Sequence, residues 1–123
     1  MRIDRDRAEG PVVSGIAGGA FRVDDNLYRA LTLTPLRAAM WMPPALDALD
    51  LAALAPLMEI DPTPEFILLG TGAALRRPRI SLVRAIEACG IGVEAMDSRA
   101  AARTWSVLRG EGRWIGAALY PLG

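Results

Sequence analysis

A chain of 123 residues with 52% hydrophobic content is long enough to bury one core and leaves little room for a second, so a single domain is expected. Its 14 basic and 14 acidic side chains cancel, which argues against a general nucleic-acid binder with a basic face, and nucleic acid is not expected among its partners. Histidine is absent and every basic residue is arginine; this excludes Ser–His and Cys–His pairs, imidazole-ligated zinc and Schiff-base lysine chemistry, and leaves no metal or cofactor to assign.

Residues 1–11 are rich in alternating Arg and Asp and are expected to form a flexible, solvated tail ahead of one domain spanning 12–123. This start is too charged for the apolar core of a signal peptide. No apolar run approaches the roughly 20 residues that span a bilayer, so a soluble, cytoplasmic protein is expected. From Val12 a strand-like pattern broken by Gly15, Gly18 and Gly19 leads to the polar turn Asp24-Asp25-Asn26, which predicts a hairpin. Residues 27–34 alternate as a strand that Pro35 ends, and residues 37–42 read as another, ended by Pro43-Pro44.

Asp50 can cap a short helix over about 51–57. After Pro62 and Pro64, residues 65–69 show no polar alternation after the first residue, Glu65, the pattern of a strand covered on both faces. It ends in Gly70-Thr71-Gly72. A helix starting near Ser81 places Leu82, Ala85, Ile86 and Cys89 on one face and stops at Gly90. Residues 91–96 form a short strand, and Asp97 or Ser98 caps a last helix with Ala101, Thr104, Trp105 and Leu108 on one side and Arg99, Arg103 and Ser106 on the other. Residues 114–120 are the closing strand. The pattern is α/β: an antiparallel β part followed by βαβαβ onto one mixed sheet.

The lone Cys89 allows no disulfide within the chain. A strand ending in a Gly-X-Gly turn is where open α/β sheets place ligands, and Gly70, Thr71 and Gly72 could offer backbone N–H groups to an anion. Leu75 stands where a dinucleotide fingerprint needs glycine, so a structural turn is favoured over a phosphate cradle. Arg76, Arg77 and Arg79 form a positive run just beyond, more often a solvated loop than a site. Arg99, Arg103 and Arg113 could meet an anion or an acidic partner, while ion pairs with Glu94, Asp97 or Glu111 would explain them equally well. Trp41, Trp105 and Trp114 are read as core, unless one is exposed at an interface.

Residues 66–72, 90–97 and 102–108, then Glu111-Gly112-Arg113, preceded by Gly15, Gly19-Ala20-Phe21, Pro35 and Trp41, form an ordered set of blocks covering nearly the whole chain from Val12. This set resembles the small Mth938-like family, a domain of unknown function whose eukaryotic members include a mitochondrial complex I assembly factor. The resemblance implies a compact three-layer fold with a mixed central sheet, and no established catalytic activity. Family members are expected to carry Cys, Tyr and Asn where this chain has Ala102, Trp105 and Ser106, which weakens any polar site on that helix; Arg103 and Thr104 are kept.

The leading expectation is a non-enzymatic protein that binds other proteins and assists assembly of a larger complex. It would meet them through the face around Arg99, Arg103, Thr104, Ser106 and Arg113, or through an exposed apolar patch. The alternative is a binder of a small anionic ligand, or an enzyme acting on one, at Gly70-Thr71-Gly72 with Arg76 or Arg103 nearby.

Overall fold

The computed structural model describes residues 10–123, and local chemistry accounts for most of its element boundaries. Strands β1 (Val13–Ala17) and β2 (Ala20–Val23) form a hairpin whose turn residues Gly18 and Gly19 have φ of 60° and 79°. Positive φ at both central positions matches the twist of paired strands, and glycine adopts it without a Cβ clash. Asp24, also at positive φ, turns the chain into β3 (Asn26–Tyr28), giving an antiparallel sheet in the order β1-β2-β3. Of the expected tail, residues 1–9 lie outside the described residues. Pro11 is buried, and its carbonyl accepts a 3.0 Å hydrogen bond from Trp105 Nε1.

The run at 27–34, expected as one strand, is divided between two sheets. Leu27 and Tyr28 belong to β3, the chain bends at Arg29-Ala30, and β4 (Leu31–Leu33) enters the second sheet. Burial decides this: all of β4 is buried in the central layer, whereas Leu27 stays half exposed on an outer strand. Thr34 Oγ1 accepts from the backbone N–H groups of Leu36 and Arg37, closing the turn into β5 (Ala38–Met40), which is shorter than the strand expected over 37–42. The helix expected over 51–57 is a 3-10 turn (Ala52–Leu54) running into the one-turn α1 (Ala55–Met58), with a further 3-10 turn at Leu46–Ala48. Asp50 Oδ1 accepts from Ala53 N at 3.0 Å, the capping role its position suggests.

The second half alternates as expected: β6 (Phe66–Gly70), α2 (Ile80–Ala88), β7 (Gly92–Met96), α3 (Ser98–Gly110) and β8 (Gly116–Leu119). The five-stranded sheet runs β5-β4-β8-β6-β7, with β8, β6 and β7 parallel and β4 antiparallel to its neighbours. The two crossovers run in opposite directions across this sheet, and right-handed crossovers of that kind place their helices on opposite faces. Accordingly, Leu82 and Ile86 of α2 pack with Ile67, Leu69 and Ala118 on one face. Ala101, Ala102 and Trp105 of α3 pack with Leu68, Ala117 and Leu119 on the other, joined by Phe21 and Val23 of the small sheet. The result is three layers around a mixed central sheet.

Cys89 departs from the face assigned to it: it is exposed. The helix ends at Ala88, Cys89 follows as the C-cap, and Gly90 at φ 82° redirects the chain so that Ile91 takes the core position instead.

Candidate functional site

The carboxyl ends of β6 and β7 are where the chain diverges to opposite faces of the sheet, the usual place for a ligand in an open α/β sheet. Here it is filled by side chains and hydrogen bonds. Gly72 N donates to Ser98 Oγ at 2.9 Å, Ser98 Oγ donates to the Tyr120 carbonyl at 2.8 Å, and Ser98 N donates to the Gly72 carbonyl at 2.8 Å. Thr71 N donates to the Met96 carbonyl, and Thr71 Oγ1 donates to the Ala74 carbonyl while accepting from Arg76 N. A Cβ on Gly70 would lie 2.8 Å from Leu119 Cδ2 and 2.9 Å from Ser98 Cα, so glycine permits this close packing. Ser98, fully buried, joins Gly72 to the Tyr120 carbonyl, while Thr71 closes the turn beside it.

Arg76 is exposed at the rim of this cluster, and its charge acts on Tyr120. The Tyr120 ring meets Trp41 edge to face at 5.1 Å and its hydroxyl donates to the Pro44 carbonyl at 2.8 Å. Burial is the main cause that pushes the Tyr120 hydroxyl up to about 12; Asp47 adds to the rise and Arg76 opposes it. The folded value lies above the ordinary phenol value, so the stability linked to Tyr120 is fully present below about pH 10 and is lost as pH rises towards about 12. A spectroscopic titration of the folded protein should show a phenolate step near pH 12 that Tyr120→Phe abolishes. Survival of that step in the variant would refute the assignment.

Helix α3 is capped by Asp97, whose Oδ1 accepts from Ala100 N at 2.9 Å. Arg99 and Arg103 are exposed on its outer face beside a cleft of about 240 Å³ whose other wall is β1, residues 13–16. Thr104 Oγ1 points at Met96 Sδ, 3.6 Å away. Ser106 Oγ accepts from Val13 N at 3.0 Å and donates to the Val13 carbonyl at 3.1 Å, so it fastens the outer edge of β1 to α3.

Arg113 is not part of this group. Beyond the far end of the helix it forms a two-pronged ion pair with Glu65, 2.8 Å at its shortest, and lies over the Phe66 ring at 5.7 Å. The hydrogen bond from Arg113 holds the Glu65 carboxyl below its ordinary value. Arg109, which sequence reasoning passed over, is buried beside it: Nη1 donates to the Arg113 carbonyl at 2.6 Å, and its guanidinium lies over Trp114 at 5.9 Å. Burial lowers its pKa. Its place four residues after Trp105 on the inward stripe was the available signal.

All three indoles donate to main-chain carbonyls outside the strands and α-helices: Trp41 to Ala53, Trp105 to Pro11 and Trp114 to Pro62. Only Trp105 is fully buried; Trp41 and Trp114 are partly exposed. A groove of about 480 Å³ opens between β4–β5 and α1, lined by Thr32, Ala39, Pro56, Glu59, Ile60 and Trp114 among others. It adjoins β5, the edge strand of the large sheet, where Met40 at the end of the strand, Leu36 in the preceding turn and Met42 just beyond are 75%, 78% and 86% exposed. Among the described residues no group of three metal-ligating side chains converges, and no helix is long and apolar enough to cross a membrane.

A mixed sheet between two helical layers, with a small antiparallel sheet over α3, defines a compact three-layer α/β domain. The profile described as "Protein of unknown function (DUF498/DUF598)" matches residues 13–120, and the chain belongs to that family, the Mth938-like family anticipated from its sequence blocks. An uncharacterised protein of Rhodobacter capsulatus is 36% identical over 111 residues, covering 89% of this chain and 84% of the relative. NADH dehydrogenase [ubiquinone] 1 alpha subcomplex assembly factor 3 of Bos taurus is 28% identical over 121 residues; the match covers 98% of this chain and 61% of the bovine protein. The solution structure of a Mth938-like domain from Bordetella pertussis superposes with a TM-score of 0.77 at 30% identity, covering 100% of this chain and 94% of that one.

Proposed function

We propose that this protein is a non-enzymatic assembly factor that works in the cytoplasm, holding subunits of a larger complex through protein–protein contact. The observation that carries this reading is the exposed set Leu36, Met40 and Met42, of which Met40 ends β5, Leu36 lies in the turn before it and Met42 follows it, beside a strand that among the described residues has no partner on its outer side. An edge strand normally carries charges or proline that discourage pairing, and residues 38–42 hold neither. Large apolar side chains left in water beside an unsatisfied strand edge suit addition of a partner segment. The likeness to the bovine assembly factor, which extends over nearly all of this chain, supports the same role and suggests NADH dehydrogenase subunits as the cargo.

The test is affinity capture from cells that express the protein naturally, comparing the wild type with Met40→Glu plus Met42→Glu. Both positions are exposed, so the fold should tolerate the change. The wild type is expected to retain NADH dehydrogenase subunits and the variant to lose them. A wild type that captures none of these subunits would refute the reading.

A further inference from the structure

Two arginines of α3 are placed against the preferences of their own helix. Arg99 is the second residue of α3, where the positive end of the helix dipole disfavours a cation, and Arg103 follows one turn later, close enough for like charges to repel. Among the described residues neither forms an ion pair or hydrogen bond, whereas Arg79, Arg109 and Arg113 each do. Glu94 and Asp97, the acids nearest in sequence, do not pair with them; Asp97 spends its Oδ1 on capping. A local rule broken without an internal compensation points outward, to something the molecule meets.

The surroundings say what that is. Both arginines line the 240 Å³ cleft between α3 and β1. This space is smaller than the roughly 300–1,000 Å³ of pockets that enclose a small-molecule ligand, and it suits single side chains entering from outside. Arginine prefers a carboxylate, which it can grip with two parallel N–H groups. The Cβ atoms of helix residues four apart are separated by about 6 Å. Alternate residues of an extended strand are separated by about 6.6 Å. We propose that Arg99 and Arg103 receive two carboxylates two positions apart on an extended acidic segment of a protein partner, with β1 residues 13–16 as the facing wall. This rests on the protein-binding reading above and adds a second contact, specific in charge, to the apolar one at β5.

The probe is a blocked octapeptide of alternating Glu and Val, with its Gln–Val counterpart and sodium acetate as controls, titrated into isotope-labelled full-length protein and followed by amide NMR. At about 1 mM the Glu–Val peptide is expected to shift Ser14, Gly15, Ile16, Arg99 and Arg103, and to do so less as salt is raised. Arg99→Gln plus Arg103→Gln is expected to weaken binding about tenfold, whereas Arg77→Gln plus Arg84→Gln, on exposed residues elsewhere, leaves it within about twofold. No shift at these residues, an equal effect of the control pair, or acetate binding as tightly as the peptide would overturn the proposal. Capture of subunits from cells separates the two levels. If Arg99→Glu plus Arg103→Glu captures as the wild type does, the cleft is refuted and the assembly role stands; if the wild type captures nothing, the assembly role falls and the peptide titration judges the cleft alone.

Discussion

Trp105→Ala is expected to destabilise the protein by about 3–5 kcal/mol, the range for removing a buried tryptophan and leaving a cavity. Trp105 is fully buried at the point where α3, the central sheet and the small sheet meet, in contact range of a cluster that includes Phe21, Leu68 and Leu119. The loss has a second component. Nε1 donates to the Pro11 carbonyl, and removal of the indole leaves that buried acceptor without its partner. Against a total stability of about 5–15 kcal/mol the change is large. Thermal unfolding should show a midpoint lowered by roughly 10–20 °C. Trp105→Phe keeps most of the volume but not the donor, so it should fall between wild type and alanine. If Trp105→Phe were as damaging as Trp105→Ala, the hydrogen bond rather than the packing would dominate; if both were mild, the core assignment would be wrong.

The second large effect is expected at Ser98. Its hydroxyl accepts from Gly72 N and donates to the Tyr120 carbonyl, both within the buried cluster at the carboxyl ends of β6 and β8. Ser98→Ala leaves a donor and an acceptor unpaired, each worth about 1–3 kcal/mol, so a loss of about 2–5 kcal/mol is expected in urea unfolding. Gly70→Ala attacks the same point by crowding: the new methyl would press on Leu119 Cδ2, Ser98 Oγ and Ser98 Cα, at a cost of about 1–3 kcal/mol. The double variant removes one of those clashing atoms, the hydroxyl oxygen, so its loss should be smaller than the sum of the two single losses. Strict additivity would mean that Ser98 and Gly70 do not share this contact. These substitutions also bear on the Gly70-Thr71-Gly72 turn, whose named N–H donors are engaged within the fold. Its measured effect is expected in stability.

Much of the architecture was readable before any coordinates. After Glu65, the apolar run at 66–69 signals a strand covered on both faces because no polar residue alternates with the apolar ones, and β6 is buried along its length apart from Phe66. The helical spacing of Leu82 with Ile86, and of Ala101 with Trp105, marks core faces because 3.6 residues per turn brings these positions together regardless of context. Asp50 and Asp97 announce their capping roles because a cap acts on a backbone N–H only three residues away.

The candidate site was less legible, since its members are joined over long sequence distances. Arg113 finds Glu65, 48 residues earlier, rather than the nearby Glu94, Asp97 or Glu111. Arg99 and Arg103 remain together on α3, and the cleft they line is completed by β1, which Ser106 holds from 93 residues away. The same applies to the break in residues 27–34, where pattern alone favoured one strand and competition between two sheets divided it. The sequence by itself therefore determined what depends on neighbours within about one helical turn: the alternating strands and helices of the second half, the core positions of Leu82, Ile86, Ala101 and Trp105, the caps and the family to which the blocks belong. Tertiary structure decided which arginines are satisfied, which apolar strand is left at an edge and which glycine turn is closed by a serine, because each depends on surfaces that become neighbours only when the chain has folded.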